Sequence, residues 1–227
     1  MTTPRQLALD LGHRTAFGRE DFLVAPSNQD AVGWLDRWPA WPAPALVVFG
    51  PAGCGKSHMA EVWRERSGAA LLPADRLCEA AVPELADRPV VVEDAGRGVD
   101  ETALLHLYNM LAEARQHLLV TARQPPSRWP LRLPDLRSRL LAAPTVAVQA
   151  PDDTLIAAVL VKLFADRQLK VGNEVVSFLL QHMERSFDAA RSLVAALDAA
   201  ALAERRNVTV PLARQVLQDR AEQALEE

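Results

Sequence analysis

The sequence predicts an α/β core built on a parallel sheet, followed by a small all-helical domain. Two patterns indicate this. Between residues 45 and 148, short apolar runs alternate with segments long enough to hold a crossover helix, which is typical of a parallel sheet with helices on both faces. From Pro151 onward, apolar residues recur only at helical spacing.

The predicted strands and helices follow from these patterns in chain order. The apolar runs expected to form strands are 45–49, 70–72, 90–92, 118–121 and 146–148. The clearest helices of the core are 56–66 and 101–116, and those of the second domain start at Asp152 or Asp153 and continue over 173–183, 187–205 and 211–225. We therefore divide the chain into a flexible tail at 1–14, an α/β core at 15–150 and a helical lid at 151–227.

Composition and charge exclude several classes of protein. Hydrophobic residues make up 49% and charged residues 24%, so the chain is expected to fold. A net charge of −4 argues against autonomous binding of DNA or RNA, which needs a basic surface. The only cysteines are Cys54 and Cys78, and the five histidines lack the spacing of zinc ligands. With neither a signal peptide nor a long apolar run, we expect a cytoplasmic protein that does not bind a membrane.

A complete G-x-x-x-x-G-K-[ST] motif follows the first predicted strand directly. Its residues are Gly50, Pro51, Ala52, Gly53, Cys54, Gly55, Lys56 and Ser57. Glycines let backbone N–H groups approach phosphates, Lys56 places a charge on the β and γ oxygens, and the Ser57 hydroxyl can ligate Mg²⁺. A glycine-rich turn could match the motif by chance, but the preceding strand favours a nucleoside polyphosphate site.

Two carboxylates end the third predicted strand. Glu93 and Asp94 follow Val92, at the edge of a parallel sheet where ligands gather. Glu93 is expected to orient Mg²⁺ through water, and Asp94 to polarise an attacking water. Acidic residues are also common in loops after strands, so this interpretation depends on the neighbouring phosphate loop.

The order of these motifs resembles the AAA+ domain of the bacterial replication initiator DnaA. The matching segments are Phe17, 22–28, the phosphate loop 50–57, 90–94, 118–121 and 133–140. Pro125-Pro126, the Leu-Pro-Asp-Leu element at 133–136 and the lack of a C-terminal DNA-binding domain are more similar to the Hda family, shortened DnaA relatives that regulate replication initiation.

The resemblance implies a cofactor and a residue that acts on another subunit. The segment 22–28, with Phe22 and Asn28, would line an adenine pocket for ADP or ATP with Mg²⁺. Arg139 would be an arginine finger that reaches a nucleotide held by a neighbouring subunit, because a planar, permanently charged guanidinium suits phosphoryl charge. Arg137 fits a solvated helical face.

Three positions depart from the initiator pattern. Glu93 stands where an Asp usually holds Mg²⁺, Arg123 replaces a sensor I acid, and Asp188 falls where a sensor II Arg is expected. Thr121 and Arg191 are the candidate substitutes, Arg191 because it follows Asp188 by one helical turn. The sequence therefore puts efficient ATP hydrolysis by this chain alone in doubt.

The tail contains a short motif of its own. The residues Gln6, Leu7, Ala8, Leu9, Asp10 and Leu11 resemble the peptide by which bacterial proteins dock on the DNA polymerase sliding clamp. Gln6 would supply amide hydrogen bonds, while Leu7, Leu9 and Leu11 would enter an apolar pocket. The implied partners are the clamp and DnaA, with DNA reached only through the clamp, and the chain could form a homo-oligomer.

Together these features predict a clamp-tethered, adenine-nucleotide-binding regulator. It would promote hydrolysis of DnaA-bound ATP and so repress re-initiation of chromosome replication. Two alternatives are a DnaA-related adaptor or loader that acts as a binding module for a membrane or a helicase, and a free-standing P-loop ATPase or kinase. Clamp retention distinguishes the first alternative, and turnover without any partner protein distinguishes the second.

Overall fold

The computed structural model describes residues 23–85, 87–96, 98–204 and 206–226, with side chains through residue 220. The described residues form two compact units, and the boundary between them falls between Gln149 and Ala150. The first unit is an α/β core and the second is helical, which confirms the predicted fold class.

One parallel sheet organises the first unit. Its elements in chain order are α1 (Gln29–Asp36), β1 (Ala45–Phe49), α2 (Lys56–Ser67), β2 (Ala70–Pro73), α3 (Val82–Leu85), β3 (Val90–Glu93), α4 (Glu101–Glu113), β4 (Leu118–Ala122), α5 (Pro134–Ala142) and β5 (Thr145–Ala147). The five strands lie in the order β2-β3-β4-β1-β5, and every pairing is parallel. The strand β1 therefore lies between β4 and β5.

The central strands β3, β4 and β1 are covered on both faces, which explains why they read as continuous apolar runs, whereas the edge strands β2 and β5 expose alternate residues. Ala45 and Val47 of β1 point into an apolar cluster that contains residues of α4 and α5. Leu46 and Val48 point the other way, into a cluster that contains residues of α1 and α2. The period of two along the strand thus supplies both halves of the core.

A tryptophan cluster closes the second of these faces. Trp41 stacks on Trp63 of α2, with ring centroids 5.4 Å apart and 16° between the planes. Trp38 meets Trp63 edge-on at 5.9 Å. The indole N–H of Trp41 donates to the carbonyl oxygen of Trp34 over 2.7 Å, so the segment that enters β1 is held against α2.

The helix α4 ends three residues earlier than the sequence predicts, at Glu113 rather than at residue 116. Arg115 adopts a positive φ of 54°, which ends the helical path. The amide of Gln116 then donates to the carbonyl oxygen of Leu111 over 2.7 Å and closes the helix end. This turn delivers the chain into β4.

The second unit consists of helices around a single apolar cluster. Its elements are α6 (Asp153–Asp166), α7 (Asn173–His182), α8 (Phe187–Glu204) and α9 (Val210–Glu226). Of the two candidate caps, Asp152 is the N-cap of α6, and its Oδ1 accepts from the amide of Leu155 over 2.8 Å. The buried side chains of Ile156, Leu160 and Phe164 form the apolar stripe of α6. Across the described residues, no helix combines the length and the apolar character that a membrane span requires.

Candidate functional site

The phosphate loop 50–57 leaves the end of β1 and runs into the first turn of α2. Neighbouring strands hold the start of this loop. The amide of Gly50 donates to the carbonyl oxygen of Ala122 after β4 over 3.1 Å, and the amide of Val148 donates to that of Phe49 over 2.7 Å. The loop therefore begins from a fixed position at the carboxyl edge of the sheet, where ligands of α/β proteins bind.

Close backbone approach requires glycine at the first position of the loop. A Cβ on Gly50 would lie 2.1 Å from the carbonyl oxygen of Val148 and 3.0 Å from the Sγ of Cys54. Gly53 and Gly55 meet a different requirement, since their φ angles are 69° and 102°. Left-handed backbone of this kind favours glycine, so three glycines of the motif each have a physical reason.

Lys56 begins α2 and lies over the loop, with only 8% of its surface exposed. Its Nζ donates to the carbonyl oxygens of Gly50 over 3.0 Å and Pro51 over 2.8 Å. The N-cap Gly55 has no side chain to accept from the first amides of α2. A buried cation beside helical N–H groups that no side chain caps is suited to bind phosphate.

The thiol of Cys54 lies inside this loop, 3.8 Å from the Nζ of Lys56. Burial raises the pKa of Cys54, although the charge of Lys56 opposes that shift. The group is therefore a neutral thiol at pH 7, which does not compete with a phosphate for the charge of Lys56.

Glu93 and Asp94 lie together at the end of β3 but in different surroundings. The Oε1 of Glu93 is buried and has no hydrogen-bond partner among the described residues. Asp94 is exposed, has a positive φ of 58°, and its Oδ1 lies 3.9 Å from the Nε of Arg123. This ion pair faces solvent on both sides, so its contribution to stability is small.

Thr121 is the residue that holds the turn after β3. It is 3% exposed and lies on β4, directly opposite Val48 of β1. Its Oγ1 accepts from the amide of Asp94 over 3.2 Å, and its carbonyl oxygen accepts from the amide of Ala95 over 2.9 Å. The hydroxyl thus fixes the backbone of Asp94 in its left-handed conformation.

A cleft of about 510 Å³ opens at the ends of β2, β3 and β4. It is lined by Pro73, Ala74, Asp75, Glu93, Asp94, Gly96, Arg123 and Gln124. The cleft therefore gives solvent access to the acidic pair from the side of β2.

The oxygen ligands near the loop fit a magnesium ion that arrives with a nucleotide. Ser57 is exposed on the first turn of α2, and Glu93 offers the unpartnered Oε1. Mg²⁺ prefers oxygen ligands and usually keeps phosphate and water in its shell. Among the described residues there is no group of three or more His, Cys, Asp or Glu side chains that could hold a metal, so phosphate and water would supply the remaining ligands.

Arg139 lies on α5, partly exposed, and its guanidinium rests on an aromatic ring. The Cζ is 5.4 Å from the centroid of the Tyr108 ring on α4. Arg137, on the same helix, is exposed. Burial raises the pKa of Tyr108 and the charge of Arg139 opposes that shift, so the phenol is neutral at pH 7.

The side-chain amide of Asn28 forms hydrogen bonds with the backbone of the residues just before it. It is 4% exposed; its Oδ1 accepts from the amide of Ala25 over 2.8 Å, and its Nδ2 donates to the carbonyl oxygen of Leu23 over 3.0 Å. The side chain therefore shapes the segment 23–28. Phe22 and the tail motif with Gln6, Leu7, Leu9 and Leu11 lie outside the described residues.

Arg191 lies on α8 of the helical unit, where it pairs with Asp188 one turn earlier. The two side chains are exposed and share a charge-assisted hydrogen bond. Asp188, which stands where a sensor II Arg is expected, therefore forms an ion pair with Arg191, the candidate to replace that arginine.

Sequence reasoning did not single out two residues of α4 that contact α5. Tyr108 lies under Arg139, and the carboxylate of Glu101 accepts from the amides of Arg132 and Leu133, which lead into α5. Their spacing of seven residues places both on one face of α4, but many pairs of residues in any helix have this spacing, so it could not single them out.

The sheet order, the loop between β1 and α2 and the acids after β3 define the AAA+ class of P-loop proteins. Solved structures of the same fold support this assignment. Domain III of the Thermotoga maritima initiator DnaA matches with a TM-score of 0.75 and 16% identity, over 87% of this chain and 94% of that one. DnaA from Aquifex aeolicus bound to AMPPCP matches with a TM-score of 0.62 and 16% identity, over 77% and 62%.

The helical unit is similar to that of a narrower group of proteins. Residues 153–217 match the family model described as Hda, lid domain, so this segment is similar to the lid of that family, and it follows in the chain a core whose fold is similar to that of DnaA. This confirms the resemblance to Hda that the sequence motifs predict. An uncharacterised protein of Haemophilus influenzae is 25% identical over 188 residues, covering 77% of this chain and 81% of that protein.

The contact at Gly50 generates a prediction about stability. We expect Gly50→Ala to lower the free energy of unfolding by about 1–3 kcal/mol, because the added methyl overlaps a backbone carbonyl that cannot move without disturbing β5. Urea denaturation measures this change. The matched control is Gly33→Ala on α1, where nothing lies within 4 Å of the new methyl and stability should stay equal or rise. Equal urea midpoints for Gly50→Ala and wild type would contradict the steric argument.

Proposed function

We propose that this chain is a nucleotide-bound regulator of replication initiation, tethered to the sliding clamp, that promotes hydrolysis of ATP held by DnaA. The observation that carries the proposal is the partly exposed Arg139, held on α5 of a DnaA-like core that is followed by an Hda lid. A permanently charged planar group at the surface is suited to act on a phosphate bound by another subunit.

The phosphate loop supports binding of ADP or ATP. Its glycines allow the close approach, Lys56 supplies a buried charge, and Ser57 with Glu93 supplies oxygens for Mg²⁺. The AMPPCP complexes of DnaA have the same fold as this chain, which favours an adenine nucleotide. Bound Mg²⁺ would neutralise phosphate charge, while the loop amides and Lys56 orient the phosphates.

Groups expected to assist hydrolysis in cis are engaged elsewhere. Asp94 pairs with Arg123, the hydroxyl of Thr121 accepts from the amide of Asp94, and Arg191 pairs with Asp188. These pairings favour a chain that holds its nucleotide and acts on the nucleotide of a partner.

Nucleotide binding is tested at Lys56. We expect Lys56→Ala to lose most of the rise in melting temperature that ADP with Mg²⁺ produces, because the lysine is the fixed charge of the loop. At a concentration of ADP one hundred times its Kd, the wild type should gain about 2.7 kcal/mol. Thermal unfolding with and without ADP measures the difference. Lys170→Ala, at an exposed lysine between α6 and α7, is the control that should keep the full gain. Equal stabilisation of Lys56→Ala and wild type by ADP would contradict nucleotide binding by the phosphate loop.

Action in trans is tested at Arg139. In an assay of DnaA-bound ATP hydrolysis with clamp and DNA present, Arg139→Ala should lose the stimulation, since arginine fingers contribute on the order of 10³ to 10⁵ in rate, or about 4–7 kcal/mol. Arg137→Ala, exposed on the same helix, is the matched control and should stimulate as wild type does. ADP stabilisation and clamp retention should be unchanged in both variants.

The outcomes of this assay separate the alternatives. Stimulation by Arg139→Ala at the wild-type rate would refute the finger, and an adaptor or loader function would replace it. Repeated turnover of ATP by this chain with DnaA omitted would instead indicate a free-standing ATPase.

Clamp tethering is tested in the tail. Replacement of Gln6, Leu7 and Leu11 with Ala should abolish retention by immobilised clamp, because it removes the amide and two of the apolar anchors of the motif. Surface plasmon resonance measures retention. The control replaces Thr2, Thr3 and His13, which lie outside the motif, and should be retained as wild type is. We expect melting temperatures within about 1 °C for all three proteins; clamp binding by the Gln6, Leu7 and Leu11 variant would contradict the docking motif.

A further inference from the structure

In addition to apolar packing between α4 and α5, two side chains of α4 contact the segment that carries Arg139. At the start of α4, the carboxylate of Glu101 accepts from two successive amides ahead of α5. Its Oε1 and Oε2 lie 3.1 and 2.9 Å from the amide of Arg132, and its Oε2 lies 2.8 Å from the amide of Leu133. Two turns later, Tyr108 lies under the guanidinium of Arg139. One helix thus touches both the start of α5 and its functional side chain.

The spacing of these contacts matches on the two helices. Glu101 and Tyr108 are seven residues apart, so they share a face of α4 and are separated by about 10 Å along its axis. Leu133 and Arg139 are six residues apart, about 9 Å along α5. Leu136 and Leu140 hold α5 in the apolar core, and the two contacts from α4 act at the start of α5 and at the guanidinium of Arg139.

Glu101 is well suited to its end of this arrangement. Hydrogen bonds from amides to a carboxylate are charge-assisted and stronger than bonds between neutral groups. Glu101 also occupies the first turn of α4, where the positive end of the helix dipole stabilises a negative charge. The N-cap Asp100 accepts from the amide of Ala103 over 3.0 Å, so the start of α4 is itself fixed.

Tyr108 orders the guanidinium without consuming its hydrogen bonds. Its ring is 6% exposed and packs in the core with Leu104, Leu107 and Leu111 of the same helix, so it is a rigid platform. Within the described part of the chain, the guanidinium of Arg139 donates no hydrogen bond and forms no ion pair, and its contact is the ring. Attraction of a cation to a ring leaves the N–H groups available for phosphate oxygens.

We propose that Tyr108 and Glu101 are positioning residues for Arg139: Tyr108 orders the guanidinium before a partner binds, and Glu101 fixes the helix that carries it. The inference rests on the proposed function, since it names what prepares the finger for a phosphate held by another subunit. An arginine ordered in advance loses less conformational entropy when it engages phosphate. The two residues therefore raise the rate of the stimulated reaction without touching the nucleotide.

The contact itself can be measured without any activity. Tyr108 is the chain's sole tyrosine, so labelling tyrosine with ¹³C at the ring ε positions gives signals from this ring alone. We expect Arg139→Ala to shift those signals at pH 7 and Arg137→Ala to leave them in place. Unchanged signals in Arg139→Ala would overturn the platform whether or not the chain acts on DnaA.

The functional arm measures stimulated hydrolysis as maximal rate and as the concentration of this chain that gives half-maximal stimulation. We expect Tyr108→Leu to lower the maximal rate about 3- to 30-fold, while Tyr108→Phe, which keeps the aromatic face, stays within about twofold. Half-maximal concentration and ADP stabilisation should be unchanged. Glu101→Gln should lower the maximal rate about 3- to 10-fold, and Glu113→Gln at the other end of α4 is its control.

Combination with Arg139→Ala separates positioning from a general loss of structure. In the Arg139→Ala background, Tyr108→Leu and Glu101→Gln should have no further effect on rate, because the group that they position is gone. A further loss of rate when Tyr108→Leu or Glu101→Gln is added to Arg139→Ala would overturn the inference. So would a wild-type rate of stimulation by Tyr108→Leu when Arg139→Ala is inactive. If Arg139→Ala stimulates as wild type while the ring signals shift, the positioning contact is retained and the proposed function fails.

Discussion

The contact between Gly50 and the carbonyl oxygen of Val148 is the constraint on which the site depends. The loop can start only where β1 lies between β4 and β5, and the backbone there is too close for any side chain. The same arrangement places Thr121 opposite Val48, and Thr121 in turn fixes the backbone of Asp94. The positions of loop and acids therefore follow from how β3, β4, β1 and β5 pair, and the buried central strands β3, β4 and β1 permit little adjustment.

The groups proposed to bind a nucleotide and the group proposed to act on another nucleotide lie on different elements of the core. Binding groups lie along β1 and the start of α2, where backbone geometry and a buried lysine suit phosphate. The group proposed to act on another nucleotide lies on α5 and is supported from α4. Because α4 is buried through Leu104, Leu107 and Leu111, it connects the sheet rigidly to the Arg139 helix. The proposed action in trans would therefore not depend on hydrolysis in cis.

Exposed ion pairs contribute little to the stability of this chain. The ion pairs Arg123–Asp94, Arg185–Asp153 and Arg191–Asp188 are exposed on both sides, so screening leaves them little weight in folding. The apolar clusters of the two units supply the stability instead. Two of these pairs involve Asp94 and Arg191, which the sequence singles out as candidates to assist hydrolysis in cis.

The sequence by itself determined the parallel sheet, the helical unit after Pro151 and the phosphate loop, because each depends on spacing between residues close in the chain. Period two along β1 and the fixed order of glycines and lysine are local properties. Only the tertiary structure showed that Thr121 bonds to Asp94, 27 residues away, that Glu101 bonds to Leu133, 32 residues away, and that Asn28 satisfies its own segment. Such partners are decided by how helices and strands pack, and since many residues on a helical face could meet a neighbour, local spacing cannot select the pair that does.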